Sequence, residues 1–381
     1  MRFPIFITVV ATVLGLSAFY VGVRFVTWSH WAAQHEAAMW LTFAILIGMQ
    51  FLGPVLYRML PNHVNRLFLV HWIVYIGLGV LTCMFLYIVA ADVIAALFSL
   101  AFPSEHVEHI ESMAVAAIIL VTVVIGSVTV ALGPRVYKVD IPLAHLPPSF
   151  DGLRIVQISD LHLGPTLGRR YAERCVGIAN ALDADIVALT GDFVDGSVSQ
   201  LRDAAKPLAG LKARQGIYFV PGNHEYYWNA PAWIEEFGRL GAQPLLNAHV
   251  VLRKPGAELV VAGVTDYSAG RMVPGHVSDP TRAVAGAPAD AVKILLAHHP
   301  KSYRAALAAG VDLQLSGHTH GGQFFPFSIF VHLVERYYKG RYRHENLWLY
   351  VSRGTGYWGP PLRFGVPSEI TLLTLRRAEI D

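Results

Sequence analysis

Polar residues almost vanish from four long runs at the start of the chain, at 3–23, 38–60, 67–91 and 113–132. A helix rises 1.5 Å per residue, so a hydrocarbon core of roughly 30 Å is crossed by about 20 apolar residues. The pattern predicts an all-α membrane module of four transmembrane helices over residues 1–134. The first run is longer than the apolar stretch of a signal peptide and lacks a following small-residue cleavage site, so it is read as an anchor.

After Pro147-Pro148 the rhythm changes. Short β-rich runs at 153–158, 185–190, 217–220, 250–252, 259–264, 292–297, 312–315, 347–351 and 370–375 are interleaved with helical stretches at 170–182, 204–213 and 231–240. So many strands do not fit one simple parallel sheet. The expectation is an α/β domain over 150–381 with two stacked mixed β-sheets flanked by helices, joined to the membrane module by a linker at 135–149.

Composition sharpens the division. The 381 residues are 54% apolar and only 15% charged, with mean hydropathy +0.43. Up to residue 134 the only charged side chains are Arg2, Arg24, Glu36, Arg58, Arg66, Asp92, Glu105, Glu108 and Glu111, and the remainder of the chain has an ordinary soluble composition. A net charge of +3 without a dense basic run argues against nucleic acid as a partner. The two cysteines, Cys83 and Cys175, exclude a disulfide framework. With four crossings, Arg2, Arg58, Arg66, Arg135 and Lys138 fall on one side, and Arg24 with the acidic residues on the other. Retained loops carry the Lys/Arg excess, so the asymmetry predicts a multi-pass inner-membrane protein with its soluble domain in the cytoplasm. Asp92 and His71, inside the helices, are read as packing or interface residues.

Residues suited to metal binding follow the predicted strands one after another: Asp160-Leu161-His162, then Gly191-Asp192 with Asp195, Gly222-Asn223-His224-Glu225, His298-His299, and Gly317-His318-Thr319-His320. Each fragment alone is weak. Five in order, each beyond an apolar strand, form a specific signal, because loops at strand ends can converge on one site. Positions i and i+2 of an extended chain share a face, which brings together Asp160 with His162 and His318 with His320.

This order of motifs resembles the calcineurin-like metallophosphoesterases over roughly residues 150–375. The strings 160–164, 317–323 and 353–356 are similar to the YkuE/YaeI-type branch, which includes membrane-anchored members, and chlamydial-type UDP-diacylglucosamine pyrophosphatases look similar here. The resemblance implies the family's four-layer fold and two divalent metal ions. One would be held by Asp160, His162 and His320 and the other by Asn223, His298 and His318, with Asp192 between them. His224 would donate a proton to the leaving oxygen. A His/Asp/Asn set without Cys leaves manganese, iron and zinc open. His299 is an alternative to His298, and Asp195 and Glu225 are expected to support the ligands rather than bind metal.

Departures from the family narrow the chemistry. Protein phosphatases of the superfamily carry Arg where this chain has Gly196 and Tyr226, so a clamp for protein-bound phosphomonoesters is missing. Tyr226, Tyr227 and Trp228 instead predict an aromatic wall. The run Phe324 to Phe330 followed by Arg336, Lys339, Arg341 and Arg343 suits acyl chains and anionic headgroups, with Phe327 and Phe330 as substrate contacts, or else forms ordinary core and a solvated face. The expected activity is hydrolysis of a phosphodiester or pyrophosphate in an amphipathic substrate at the bilayer, with no obligate protein partner. The alternative is a non-enzymatic membrane protein whose metal stabilises a nucleotide- or lipid-binding domain; a metallo-β-lactamase fold is opposed by the absence of its H-x-H-x-D-H string.

Overall fold

The apolar runs form helices α1 (Phe3–Trp28), α2 (Glu36–Met59), α3 (Phe68–Ser99) and α4 (Val107–Leu132). The computed structural model describes residues 3–28, 35–59, 68–99 and 107–378. Among the described residues two helices are long and apolar enough to cross a membrane, Leu69–Phe98 and Met113–Leu132, while Thr12–Arg24 and Glu36–Ile45 are shorter apolar helices. Two crossings rather than four are thus supported, because the first two runs extend into residues whose side chains lie outside the description. The orienting residues Arg2, Arg66 and Glu105, and the side chains of Arg58, Glu108 and Glu111, lie outside it as well.

The chain divides into two units. The first comprises residues Met1–Thr129 together with Phe324–Phe327 and Gly359–Phe364, two short segments from much later in the sequence. Its core joins Ala18, Val21, Phe43, Ile88 and Val115 to Phe324 and Leu362. Asp92 does more than pack. It forms an ion pair with Arg24 and accepts the hydroxyl of Tyr20, tying α3 to α1. Tyr87 similarly bonds Thr122 at 2.9 Å and the Phe325 carbonyl at 3.3 Å. Pairing is how a charge among apolar helices escapes its desolvation cost.

The second unit spans Val130–Gln323, Ser328–Trp358 and Gly365–Asp381. Residues 135–149, expected as a linker, begin instead with strand β1 (Arg135–Leu143). Its alternation of polar and apolar positions is that of a strand, and it pairs in parallel with β12 (Glu369–Arg377) along its whole length. β12 runs antiparallel to β2 (Arg154–Ile158), followed in parallel by β3 (Ile186–Leu189), β4 (Ile217–Phe219) and β5 (Gln243–Pro244). The second sheet has the order β10-β11-β9-β8-β7-β6, formed by β6 (Ala248–Lys254), β7 (Ala257–Gly263), β8 (Val292–Leu296), β9 (Leu313–Ser316), β10 (Gly340–His344) and β11 (Leu347–Val351).

Both sheets are mixed and stacked, as expected. Ile155, Ile186 and Leu373 of one sheet share a core with Val261, Ile294 and Leu313 of the other. The outer face of the first sheet is covered by α5 (Arg169–Ala181), α6 (Val198–Ala205) and α8 (Ala230–Arg239), and that of the second by α9 (Pro280–Ala283) and α10 (Tyr303–Ala308). Because β2, β3 and β4 run parallel, as do β7, β8, β9 and β11, the loops after them leave from one edge of each sheet. Gln157 bridges the sheets near that edge, donating to Thr190 Oγ1 and the Ser316 carbonyl at 2.9 Å each.

Trp233 of α8 anchors one of these loops. It is fully buried, and its indole N–H donates to the Gly196 carbonyl at 2.9 Å, one residue beyond Asp195. Beside it Phe219 and Phe237 stack with ring centroids 4.0 Å apart. Trp233→Ala should cost about 3–5 kcal/mol of stability, whereas Trp233→Phe, which keeps most of the volume and loses the bond, should cost about 1–2 kcal/mol. Denaturation of the detergent-solubilised protein measures both, and equal losses would show that the hydrogen bond, not the ring volume, carries the contribution of Trp233.

Candidate metal centre

All five predicted motifs lie immediately beyond strand ends. Asp160 and His162 follow β2, and Asp192 and Asp195 follow β3. Asn223 and His224 open α7 (Asn223–Tyr227) after β4, His298 follows β8, and His318 and His320 follow β9. Five of these side chains sit on residues with left-handed backbone: Asp160 (φ 54°), His162 (49°), Asp192 (56°), His318 (74°) and His320 (52°). Such positions cost of order 1–3 kcal/mol each and persist where surrounding structure overdetermines them.

That structure is a set of main-chain bonds between loops. Asp160 N–H donates to the Gly191 carbonyl at 2.9 Å, His162 N–H to that of Asp192 at 3.1 Å and Gly317 N–H to that of His298 at 2.9 Å. The carboxylate of Glu225 accepts the backbone N–H groups of Asp192, Phe193 and Gly222 at 2.7–2.9 Å, clamping the β3 loop to the β4 loop. Burial, reinforced by Asp192, nevertheless raises the Glu225 pKa to about 7. Two glycines allow the close approach. A Cβ on Gly317 would stand 2.0 Å from Ser159 Oγ and 2.1 Å from Asp160 Oδ2, and one on Gly222 would stand 2.2 Å from Asp192 Oδ1. The 353–356 loop is a further brace: Thr355 N–H donates to the Ser159 carbonyl at 2.7 Å and Gly356 N–H to that of Asp160 at 2.9 Å.

Three groups of side chains could hold a metal ion: Asp160 with His162 and His320, Asp192 with His298 and His318, and His162 with Asp195 and His224; within each, the ligand atoms lie within 4.8 Å of one another. Asp192 Oδ2 faces both sides, 3.0 Å from His298 Nε2 and 3.9 Å from His162 Nε2. Its neighbours His298 and His224 overcome the burial penalty and hold its carboxyl far below the usual range. Asn223 Oδ1 stands 3.0 Å from His318 Nδ1.

The donor set fits cations. His298 Nδ1 donates to the Thr190 carbonyl at 2.8 Å, which directs Nε2 at the Asp192 carboxylate, and this contact calls for a proton or a metal cation between the two atoms. His162 Nδ1 is likewise 3.1 Å from Asp195, so its Nε2 meets Nε2 of His320 at 3.0 Å. His298 Nε2 and Asp160 Oδ2 are buried without a hydrogen-bond partner among the described residues. Imidazoles oriented through one nitrogen with the other turned inward are the usual preparation for a metal. Burial, aided by His298, lowers His318 to about 3 and keeps it neutral, as a ligand must be.

The remaining expectations separate. His299 accepts the Lys301 N–H at 3.2 Å, opening the turn at Pro300, and stacks on His318 with centroids 4.1 Å apart. Asp195, expected to support a ligand, spans two histidines, His162 at 3.1 Å and His224 at 2.5 Å. Tyr226 is buried and its hydroxyl bonds His276 Nδ1 at 2.9 Å, so it braces the site from beneath. Tyr227 is half exposed with its ring 5.1 Å from His224. Phe327 and Phe330 lie on α11 (Phe327–Val334), a helix with no buried residue. Sequence reasoning missed Trp358, exposed and 5.9 Å from the His224 ring; it lies in a Gly/Pro-rich turn with no motif to mark it. It also missed Asp266, buried after β7 with Oδ2 lacking a hydrogen-bond partner.

Comparison with known proteins places this geometry. The calcineurin-like phosphoesterase family matches residues 153–322. The chain is 42% identical over 267 residues to the "Transmembrane protein with metallophosphoesterase domain" of Danio rerio, covering 68% of this chain but only 61% of that protein. It is 32% identical to an uncharacterized metallophosphoesterase of Aquifex aeolicus, covering 64% of this chain and 92% of the relative. Against the uncharacterized metallophosphoesterase YkuE of Bacillus subtilis it is 31% identical, covering 61% and 82%. Motif order, a two-sheet scaffold and relatives matched over most of their length agree: the chain belongs to the calcineurin-like metallophosphoesterase family.

Proposed function

We propose that this protein is a membrane-tethered phosphoester hydrolase with a dinuclear metal centre, cleaving a phosphodiester or pyrophosphate bond in an amphipathic substrate such as a lipid phosphate or acylated nucleotide sugar. The observation that carries this reading is the Asp192 carboxylate, turned at once towards His298 and towards His162 between two clusters of ligand atoms. Asp160, His162 and His320 would hold one divalent cation and Asn223, His298 and His318 the other, with Asp192 shared. Bound there, manganese, iron or zinc would neutralise phosphoryl oxygens and acidify a water for attack.

The chain's own residues supply the remaining steps. Asp195 takes Nδ1–H of His224 and so turns Nε2–H towards the site, 4.0 Å from Asp192 Oδ2. In the metal-free protein burial disfavours the imidazolium, but Asp192 and Asp195 outweigh it and raise His224 to about 9; the Nε2–H that Asp195 orients would give its proton to the leaving oxygen. Tyr227 and Trp358 flank His224 and would guide the leaving group. Neither Gly196 nor Tyr226 offers the cationic clamp of a protein phosphatase. The tether is supported by two apolar helices and by relatives named transmembrane proteins; its finer reading, a multi-pass protein of a bacterial inner membrane with the catalytic domain in the cytoplasm, rests on the distribution of Lys and Arg along the sequence.

Asp192→Ala should abolish hydrolysis of bis-p-nitrophenyl phosphate with added manganese and lower bound metal below two ions per chain. Two retained ions with normal turnover would remove the proposed centre. His224→Ala is expected to keep its metal while losing about 10²–10⁴-fold in rate, most on esters with poor leaving groups; an equal loss on good and poor leaving groups would contradict the acid role. In chelator-treated protein, His224 rises from 6.5 to about 9 on folding. Its contribution to stability is therefore complete below pH 6.5 and lost as pH rises through 9. His224→Gln should flatten the fall in melting temperature across that window. A reporter fused after Asp381 should be active only in a cytoplasmic format, and activity in the periplasm would reverse the topology.

A further inference from the structure

Helix α11 does not behave as part of a water-soluble domain. Its sequence, Phe-Ser-Ile-Phe-Val-His-Leu-Val, contains six large apolar residues in eight, and none of the eight is buried. Relative exposure is 40% at Phe327, 47% at Ile329, 50% at Phe330, 75% at Leu333 and 76% at Val334. A helix apolar on nearly every face is stable in water only if something covers it. At eight residues it is about 12 Å long, too short to span a bilayer.

Where α11 begins identifies the cover. Phe324 is buried in the core of the membrane helices, and Phe327, whose ring stacks on Phe324 with centroids 5.7 Å apart, belongs to the same unit. The helix therefore starts as the chain leaves the apolar bundle. It is followed by Arg336, Lys339, Arg341 and Arg343, none of which forms an ion pair among the described residues; Arg336, Arg341 and Arg343 are exposed. Of the two carboxylates in this stretch, Glu335 is taken by Lys301 at 2.7 Å, and Glu345 alone remains exposed. An apolar segment that leaves the apolar bundle and leads into a net positive one matches the headgroup boundary of an anionic leaflet.

We infer that α11 is an interfacial helix that immerses Ile329, Phe330, Leu333 and Val334 in the bilayer, with the basic residues after it on anionic lipid headgroups. Phe327 and Phe330 then act as lipid contacts rather than as walls of a substrate pocket. The chain joins this helix directly to the site. His320 lies seven residues before Phe327, and the intervening Gln323 is locked to Trp358 by two hydrogen bonds, Nε2–H to the Trp358 carbonyl at 3.0 Å and Trp358 N–H to Oε1 at 2.9 Å. An immersed α11 would hold the histidine loop at the membrane surface, where a phosphate in a lipid headgroup is within reach. The inference rests on the membrane-tethered reading and goes beyond it.

Spin labels at single introduced cysteines in the full-length protein, in nanodiscs of mixed phosphatidylcholine and phosphatidylglycerol, test it without recourse to activity. Native Cys83 and Cys175 are both buried. Labels at Ile329, Phe330 and Leu333 should collide several-fold more with oxygen than with a water-soluble nickel chelate, as should Val121 on α4, while the exposed Asp290 shows the reverse. Nickel access at α11 equal to that at Asp290 would overturn the inference, and so would exclusion of both probes, which means protein covers the helix. Failure at Val121 would sink the membrane reading itself. In pure phosphatidylcholine the ratio at Leu333 should fall, and an unchanged ratio would remove the basic residues' role.

Discussion

A carboxylate taken out of water must be surrounded by donors or cations, and Asp192 is where this constraint bears hardest. Its side chain is almost completely buried, with His298 at 3.0 Å, His162 and His224 near 4 Å, and the His224 N–H donating to Oδ1 at 2.8 Å. Much of the surrounding architecture serves to hold these partners. Glu225 pins the backbone of Asp192, Asp195 orients two of the histidines, and the Thr190 carbonyl orients a third. Nitrogens and carboxylate oxygens packed this closely need cations or protons among them, which is the physical content of a metal centre.

Holding the partners requires an unfavourable backbone. Five site residues other than glycine adopt left-handed conformations, which remain uncommon even for Asp and His, the residues most tolerant of them after Asn and Gly. The compensation comes from the two stacked sheets. Apolar strands buried on both faces fix where each chain segment ends, and reciprocal main-chain bonds between the β2, β3, β8 and β9 loops then leave each loop little freedom. The strain is tolerated because the scaffold is rigid, and ligand geometry is in turn defined without metal-binding residues on flexible segments.

The apolar helical unit obeys the same rule. Apolar side chains such as Leu69, Ile94, Met113 and Leu132 face outwards, whereas the charges of Arg24 and Asp92 meet each other. Phe324–Phe327 and Gly359–Phe364, the segments beginning directly after Gln323 and Trp358, belong to this unit by composition and by packing. The residues next to the histidine motif and next to the aromatic rim of the site are thereby continuous in the chain with residues of the apolar helical unit.

Apolar runs, strand rhythm and the five polar motifs were legible in the sequence because each depends on local spacing: 20 or so residues for a bilayer, period two for a strand, a polar pair just past a strand end. The ligand candidates Asp160, His162, Asp192, Asn223, His298, His318 and His320 could be named from that spacing and from family resemblance. What spacing cannot express was decided by tertiary structure. Strand β1 looked like a linker because its partner, β12, lies more than two hundred residues away. Asp195 proved to orient two histidines, and Tyr226 proved to be bonded from beneath by His276, through contacts between loops of different strands. Trp358 reached His224 from a turn that carries no motif, and Phe327 and Phe330 lay exposed on a short helix with no buried residue. Periodicity records which face a residue shows to its own element; which distant side chain meets it depends on how the elements pack, and only the folded chain brings those partners within bonding distance.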